Sequence, residues 1–235
     1  MTDPTPSDWW ARPIAGAYFA LAHRLRWCGR ENVPRTGPAI LAANHQSYFD
    51  PIAVSLAAGV PVLYVGLESY YRMPVVGHLM RAFGTIPIPA GSPGHRALSL
   101  MLNALSQGAI CGIFPEGGRS TDGLFAELHD GVAMLALRTG APVVPVTLCG
   151  AYDAWPIHRP LPRARHISVC FGEPLCAAGA PGDRDRRRIT VEIMRRVANG
   201  FVPLGRPDMA CACLRRLQHR TPEDSPKPPQ SVTSP

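Results

Sequence analysis

Between residues 38 and 175, short apolar runs alternate with helical stretches, and this alternation limits the chain to few folds. The runs are Ala39–Ala43, Val62–Val65, Thr85–Ile88, Ala109–Phe114, Val143–Leu148 and Ile167–Phe171. They are mainly apolar throughout, not at every second residue, which is how strands covered on both faces read. Ile52–Ala58, Val75–Phe83, Arg96–Ser106 and Val132–Arg138 lie between them with helical patterning. Strands that alternate with helices predict an α/β domain with a mostly parallel central sheet flanked by helices. Asp183–Phe201 adds a helix in which Ile189, Ile193, Val197 and Phe201 recur every four residues as one stripe. A chain of 235 residues suits one domain. Its 46% apolar and 17% charged content excludes a disordered chain, which could not repay its ordering entropy.

The boundaries follow composition. Residues 1–28 form an amphipathic N-terminal segment, 29–220 the main domain, and 221–235 a Pro-rich tail expected to be disordered. Trp9 to Trp27 holds three of the four Trp, with Arg12, Arg24 and Arg26 near its ends. Aromatics with basic flanks suit the headgroup layer of a membrane, and equally a helix packed on the domain. The start, MTDPTPSDWW, has no basic region followed by an apolar run, so no signal peptide is expected. Pro51–Leu67 and Ala97–Pro115 lack charge, but Gly, Pro and polar residues interrupt them, and neither reads as a membrane span.

The net charge is +7, and residues 181–220 hold ten Arg against four acids. Lys227 is the single Lys, so cationic chemistry in the domain falls to Arg and His. Such a segment suits a solvated helix face, an anionic membrane or a phosphorylated substrate. No aromatic platform or docking motif accompanies it, so nucleic acid is not an expected partner. Seven Cys with one C-x-C and no C-x-x-C predict neither a disulfide framework nor a zinc site, and fit a reducing cytoplasm. Cys111 and Cys149, on or beside strands, are expected to pack rather than react.

Two stretches carry chemistry. Asn44-His45-Gln46-Ser47-Tyr48-Phe49-Asp50-Pro51 follows a strand and opens a helix, where open α/β sheets bind ligands. His45 is suited to act as a general base, and a carboxylate can hold its other nitrogen. Asp50 lies five residues on, so the pair meets only if the chain turns between them. Asp50 as N-cap and Pro51 as first helical residue would supply that turn. The plain alternative is a capping Asp and a loop His. Phe114-Pro115-Glu116-Gly117-Gly118-Arg119-Ser120 follows another strand. Gly117 and Gly118 allow close backbone approach to an anion, Arg119 brings a planar fork for phosphate, and Ser120 a hydroxyl. Glu116 could orient Arg119 or accept from a substrate hydroxyl. A Gly-rich turn with a surface ion pair is the plain alternative here.

Together, NHQSYFD and FPEGGRS resemble the NHxSxxD and FPEGTRS motifs of the glycerolipid acyltransferases, the lysophosphatidic acid acyltransferase family, with Gly118 in place of Thr. Val144-Pro145-Val146 resembles that family's fourth block, and the likeness covers roughly residues 30–175. It implies His45 as general base and Asp50 as its orienter. Asn44, Ser47, Glu116, Gly117, Gly118, Arg119 and Ser120 become the candidate substrate-binding residues. It implies acyl transfer from acyl-CoA or acyl carrier protein to a lyso-glycerophospholipid, with 1-acylglycerol-3-phosphate the first candidate. No cofactor and no metal are expected; the thioester is a substrate. The implied setting is peripheral, on the cytoplasmic face of a membrane. Two positions depart from the family pattern: Ala90 stands where an Arg is usual and His129 where a Lys is usual. They leave open another lipid acceptor, such as a lyso-aminolipid. A lipid-binding module without turnover is the reading from another class.

Overall fold

The computed structural model of the chain describes residues 11–89, 93–177 and 182–218. The tail 221–235 and Ala90 lie outside the described residues. In chain order the elements are α1 (Ala11–Ala22), β1 (Arg26–Cys28), β2 (Ala39–Ala43), α2 (Asp50–Ala58), β3 (Tyr64–Leu67) and α3 (Glu68–Tyr71). There follow α4 (Pro74–Ala82), β4 (Thr85–Ile88), α5 (Pro93–Ser106), β5 (Ile110–Ile113), α6 (Gly131–Thr139) and β6 (Val143–Cys149). The last elements are α7 (Ala151–Ala154), β7 (Ser168–Phe171), α8 (Asp183–Asn199) and α9 (Pro207–Gln218).

Five strands form one sheet in the order β1-β7-β6-β2-β5. All neighbours are parallel except β6 and β7. The parallel pair β3–β4 lies beside β5, because Leu63 bridges Cys111 and bonds both Ile110 and Gly112. The expected α/β architecture with a mostly parallel sheet is therefore what forms. Successive residues of β2 feed opposite cores. Ala39, Leu41 and Ala43 join the layer under α1 and α2, while Ile40 and Ala42 join the layer under α5, α6 and α8. A strand buried on both faces has no polar face to show, which is why β2 reads as an unbroken apolar run. The Ile189/Ile193/Val197/Phe201 stripe is buried as its spacing predicts.

Beside the short helices α3 and α7, which the sequence expectation did not include, β1, β3 and α9 differ from it. The N-terminal helix ends at Ala22, and Arg26–Cys28 turns into an edge strand beside β7. Three residues with exposed Arg26 and Trp27 carry no apolar run to announce a strand. Strand β3 is shifted, running to Leu67. The unanticipated α9 packs Ala210, Cys213 and Leu217 against Met194, Val197 and Phe201 of the α8 end. On α1, Ala15 and Phe19 are buried, and the Phe19 ring meets Phe49 edge-on at 5.0 Å.

One close approach positions the site. Gly112 on β5 lies under the Tyr64 ring of β3, where a Cβ would stand 2.1 Å from Tyr64 Cε1. Tyr64 in turn stacks on Phe114 at 5.9 Å between centroids. Gly112→Ala must push Tyr64 aside, and overpacking of this kind costs about 1–3 kcal/mol. Chemical denaturation should show that loss.

Candidate active site

The loop after β2 is folded around one carboxylate. Asp50 Oδ2 accepts hydrogen bonds from His45 Nδ1 at 2.8 Å, from the Gln46 backbone N–H, and from the Ser47 N–H at 2.7 Å. Asp50 is wholly buried, while the His45 side chain keeps 18% exposure. The N-cap reading of Asp50 needs correction. Phe49 caps α2, Asp50 is its first residue, and the carboxylate turns back to earlier amides instead of forward to the helix. That backward turn is what closes the five-residue gap to His45.

A carboxylate is acceptor only, so the proton on Nδ1 belongs to the ring and the lone pair lies on Nε2. No described residue bonds Nε2. The imidazole lies flat on Phe114, 4.1 Å between centroids and 16° between planes. Tyr64, Phe114 and His45 thus form a stack of three rings that fixes the imidazole plane.

The other residues of the first motif clamp the loop. Asn44, fully buried, donates to the Leu148 carbonyl at 3.0 Å and accepts from the Leu148 N–H at 2.8 Å, tying β2 to β6. Ser47 Oγ donates to the Trp155 carbonyl at 2.8 Å and accepts from the Phe49 N–H at 3.1 Å. Gln46 donates to the Gly123 carbonyl at 2.6 Å, which draws in the loop of the second motif.

In that second loop, Glu116 points inward. Its Oε1 accepts from the His45 N–H at 2.8 Å and its Oε2 from the Ala126 N–H at 2.6 Å. It does not reach Arg119. Ser120 Oγ is also engaged internally, with the Gly123 N–H at 2.9 Å and Asp122 at 3.1 Å. The Ser120 N–H donates to the His45 carbonyl at 2.8 Å. Gly117 and Gly118 are the exposed residues of the loop. Gly117 has φ +65°, and a Cβ there would be 2.7 Å from the His129 ring, whereas Gly118 faces open space. His129 therefore borders the Gly117 backbone.

Arg119 is held between two tyrosines. Its guanidinium carbon lies 3.5 Å from the centre of the Tyr48 ring and 5.4 Å from that of Tyr70. Its Nη2 donates to the Tyr70 hydroxyl at 3.0 Å. Sequence reasoning did not single out Tyr48, Tyr70, Phe114 or Gln46. Tyr48 and Gln46 lie inside the first motif as apparent spacers, Phe114 opens the second without a chemical role to read, and Tyr70 is 49 positions from Arg119 with no spacing rule to join them. Beside Tyr48, an apolar hollow is lined by Ile52, Val76, Leu79, Met80, Phe83 and Trp155. Cys111 is buried, and burial pushes its thiol up to about 11, which keeps it protonated and unreactive. Among the described residues, no group of three His, Cys, Asp or Glu could hold a metal, and no helix is long and apolar enough to cross a membrane.

Burial raises the Glu116 carboxyl from 4.5 to about 7, against the opposing pull of the two amides. Its folded-state proton affinity exceeds that of the unfolded chain, so folding takes up a proton between those values and stability falls as pH rises through them. Glu116→Gln removes that dependence, though its NH2 leaves one of the two amides without an acceptor. The stability of wild type relative to E116Q should fall by roughly 3 kcal/mol between about pH 4.5 and pH 7. Denaturant melts of both proteins across that range check it, and a constant difference would contradict it.

Comparison with known proteins places this geometry. The family model described as Acyltransferase matches residues 24–149, more than half of the chain. The chloroplastic 1-acyl-sn-glycerol-3-phosphate acyltransferase of Brassica napus is 33% identical over 131 residues, covering 54% of this chain and 38% of its own. The 1-acyl-sn-glycerol-3-phosphate acyltransferase of Borreliella burgdorferi is 30% identical over 122 residues, covering 51% and 49%. The matches thus span half or less of these relatives' own lengths. The crystal structure of the 1-acyl-sn-glycerophosphate acyltransferase of Thermotoga maritima superposes with a TM-score of 0.63 at 24% identity, covering 85% of this chain and 84% of that one, and so shares the fold. The matched segment contains both strand-end loops, and the chain belongs to the acyltransferase family.

Proposed function

We propose that the protein transfers a fatty acyl group from an acyl thioester to the free hydroxyl of a lyso-glycerophospholipid, with 1-acylglycerol-3-phosphate as acceptor and phosphatidic acid as product. The observation that carries this is the buried Asp50 carboxylate on His45 Nδ1, which leaves Nε2 as the basic nitrogen, on a loop whose Tyr48 ring carries the Arg119 guanidinium. Nε2 takes the proton of the acceptor hydroxyl as its oxygen attacks the thioester carbonyl. The tetrahedral adduct collapses with loss of the thiolate of CoA or of carrier-protein phosphopantetheine. The imidazolium returns its proton to that sulfur, and Asp50 stabilises the imidazolium meanwhile. General-base assistance of this kind is worth about 10²–10⁴-fold, or about 3–5 kcal/mol off the barrier.

Arg119 suits the acceptor's phosphate. A planar fork makes paired hydrogen bonds to phosphate oxygens, and stacking on Tyr48 fixes its plane without spending its donors. Glu116, Asn44, Ser47 and Ser120 act in this reading by holding the two loops together, since their polar atoms are spent on partners within the protein. The apolar hollow beside Tyr48 offers a wall for an acyl chain. A lipid substrate implies work at a membrane surface, and we assign the protein to the cytoplasmic face as a peripheral protein. His129 beside Gly117 supports a second reading, in which the acceptor is another lipid such as a lyso-aminolipid.

The test is an acceptor screen with one acyl-CoA and one acyl carrier protein, products read by mass spectrometry. Product from 1-acylglycerol-3-phosphate is expected; product from a lyso-aminolipid alone would replace the acceptor and keep the chemistry. His45→Ala should lower kcat by at least about 10²-fold. Asp50→Asn should lower it by roughly 10³–10⁴-fold by favouring the wrong tautomer. Wild-type rates in either would refute the mechanism. Tyr70→Phe keeps the ring but drops the bond to Arg119. It should raise KM for an anionic acceptor about tenfold with kcat little changed, and leave KM for the thioester alone.

A further inference from the structure

Two segments far apart in sequence meet beside the site. Residues 11–30 and 155–167 contain seven Arg and no acid. They are joined where His23 Nδ1 bonds the Arg165 carbonyl at 2.9 Å, the Ile167 N–H donates to the His23 carbonyl at 3.0 Å, and the Arg26 N–H to the Ile167 carbonyl at 3.1 Å. The second segment connects α7 to β7 as an irregular arm. Its feet are pinned by the Arg163 N–H to the Ala154 carbonyl at 2.8 Å and by Trp155 Nε1 to the Arg159 carbonyl at 3.1 Å.

Both segments keep large apolar side chains in the open. Leu161 is 74% exposed and Ile157 41% on the arm, with Leu21 at 82% and Ile14 at 61% on α1. Arg24, Arg26, Arg163 and Arg165 are exposed among them. A soluble surface could carry either set alone. Within the two segments, the combination of protruding aliphatics, exposed guanidiniums and no carboxylate matches a surface with negative headgroups over an apolar interior. We propose that the arm 155–166, together with the outer face of α1, is the surface by which the protein docks on an anionic lipid bilayer.

The arm also leads to the site. Trp155 at its base lines the apolar hollow with Tyr48, and its carbonyl holds Ser47 of the His45 loop. A lipid leaving the bilayer at the arm enters beside the Tyr48–Arg119 stack. The inference rests on the proposed lipid acceptor for its purpose, while docking itself is read without turnover.

The experiment is co-sedimentation of the full chain with phosphatidylcholine vesicles, with and without phosphatidylglycerol. The arm variants are Ile157→Glu with Leu161→Glu, and Arg163→Glu with Arg165→Glu. Wild type should bind the anionic vesicles well above the neutral ones. Each double variant should lose at least about tenfold of that binding, since each basic contact alone is worth about 1 kcal/mol. Circular dichroism and activity on detergent-dispersed acceptor should stay at wild-type level, which separates lost docking from lost folding. Equal wild-type binding to both vesicles, or undiminished binding by the variants, overturns the inference. If wild type binds anionic vesicles but acylates no lipid, the docking surface stands and the proposed reaction falls. A fall in solution mass from dimer to monomer in the variants, without vesicle binding by wild type, would assign the face to a second copy of the chain and overturn it too.

Discussion

One carboxylate oxygen organises the loop on which the site is built. Asp50 Oδ2 gathers the ring nitrogen of His45 and the amides of Gln46 and Ser47. Those three donors come from consecutive residues, so binding them at one point forces the chain into a tight arc after β2. The arc ends at the α2 start, where Pro51 has no N–H to leave unsatisfied. The same contacts that shape the backbone select the imidazole tautomer. Local fold and chemistry are therefore served by the same carboxylate.

Glu116 applies the same device between loops. Each oxygen takes one backbone amide, one from the His45 loop and one from the segment after Gly123. Burying a carboxyl this way is costly, which is why its proton affinity rises. A side chain with two acceptor oxygens is needed where two buried amides face each other, and only a carboxyl provides both. The cost is offset by fixing the height of the Gly117–Arg119 turn against His45. Asn44 makes a matching link on the other side, copying a strand's donor and acceptor pair toward Leu148.

The architecture was legible in the sequence where burial on both faces left unbroken apolar runs, as in β2 and β6. It was illegible where an element is held by tertiary context. Strand β1 is three exposed or half-exposed residues carried by pairing with β7, and α9 buries its apolar side only against the end of α8. In the site, the His45–Asp50 pairing was legible because a five-residue gap closes only if the chain turns, although the turn comes from the Asp50 carboxylate gathering earlier amides and not from an N-cap. The Glu116 contacts were not, since a carboxylate in a Gly-rich loop reads equally as a ligand to substrate or as a partner of Arg119. The Tyr70 contact joins a short helix after β3 to the loop after β5, and nothing in residue spacing carries that meeting.

That contact explains how a domain without Lys fixes a cation in a loop with two adjacent glycines. A long side chain on such a turn would lose its conformational freedom only when ligand binds, at the expense of affinity. Stacking on Tyr48 and bonding to Tyr70 spend that entropy during folding instead. An ammonium could not replace the guanidinium here, because it has no plane to lie on a ring and no second edge of donors left over. The aromatic residues that hold Arg119 also border the apolar hollow through Tyr48. In the proposed reaction, one wall would thus serve both the charge and the hydrocarbon of the acceptor.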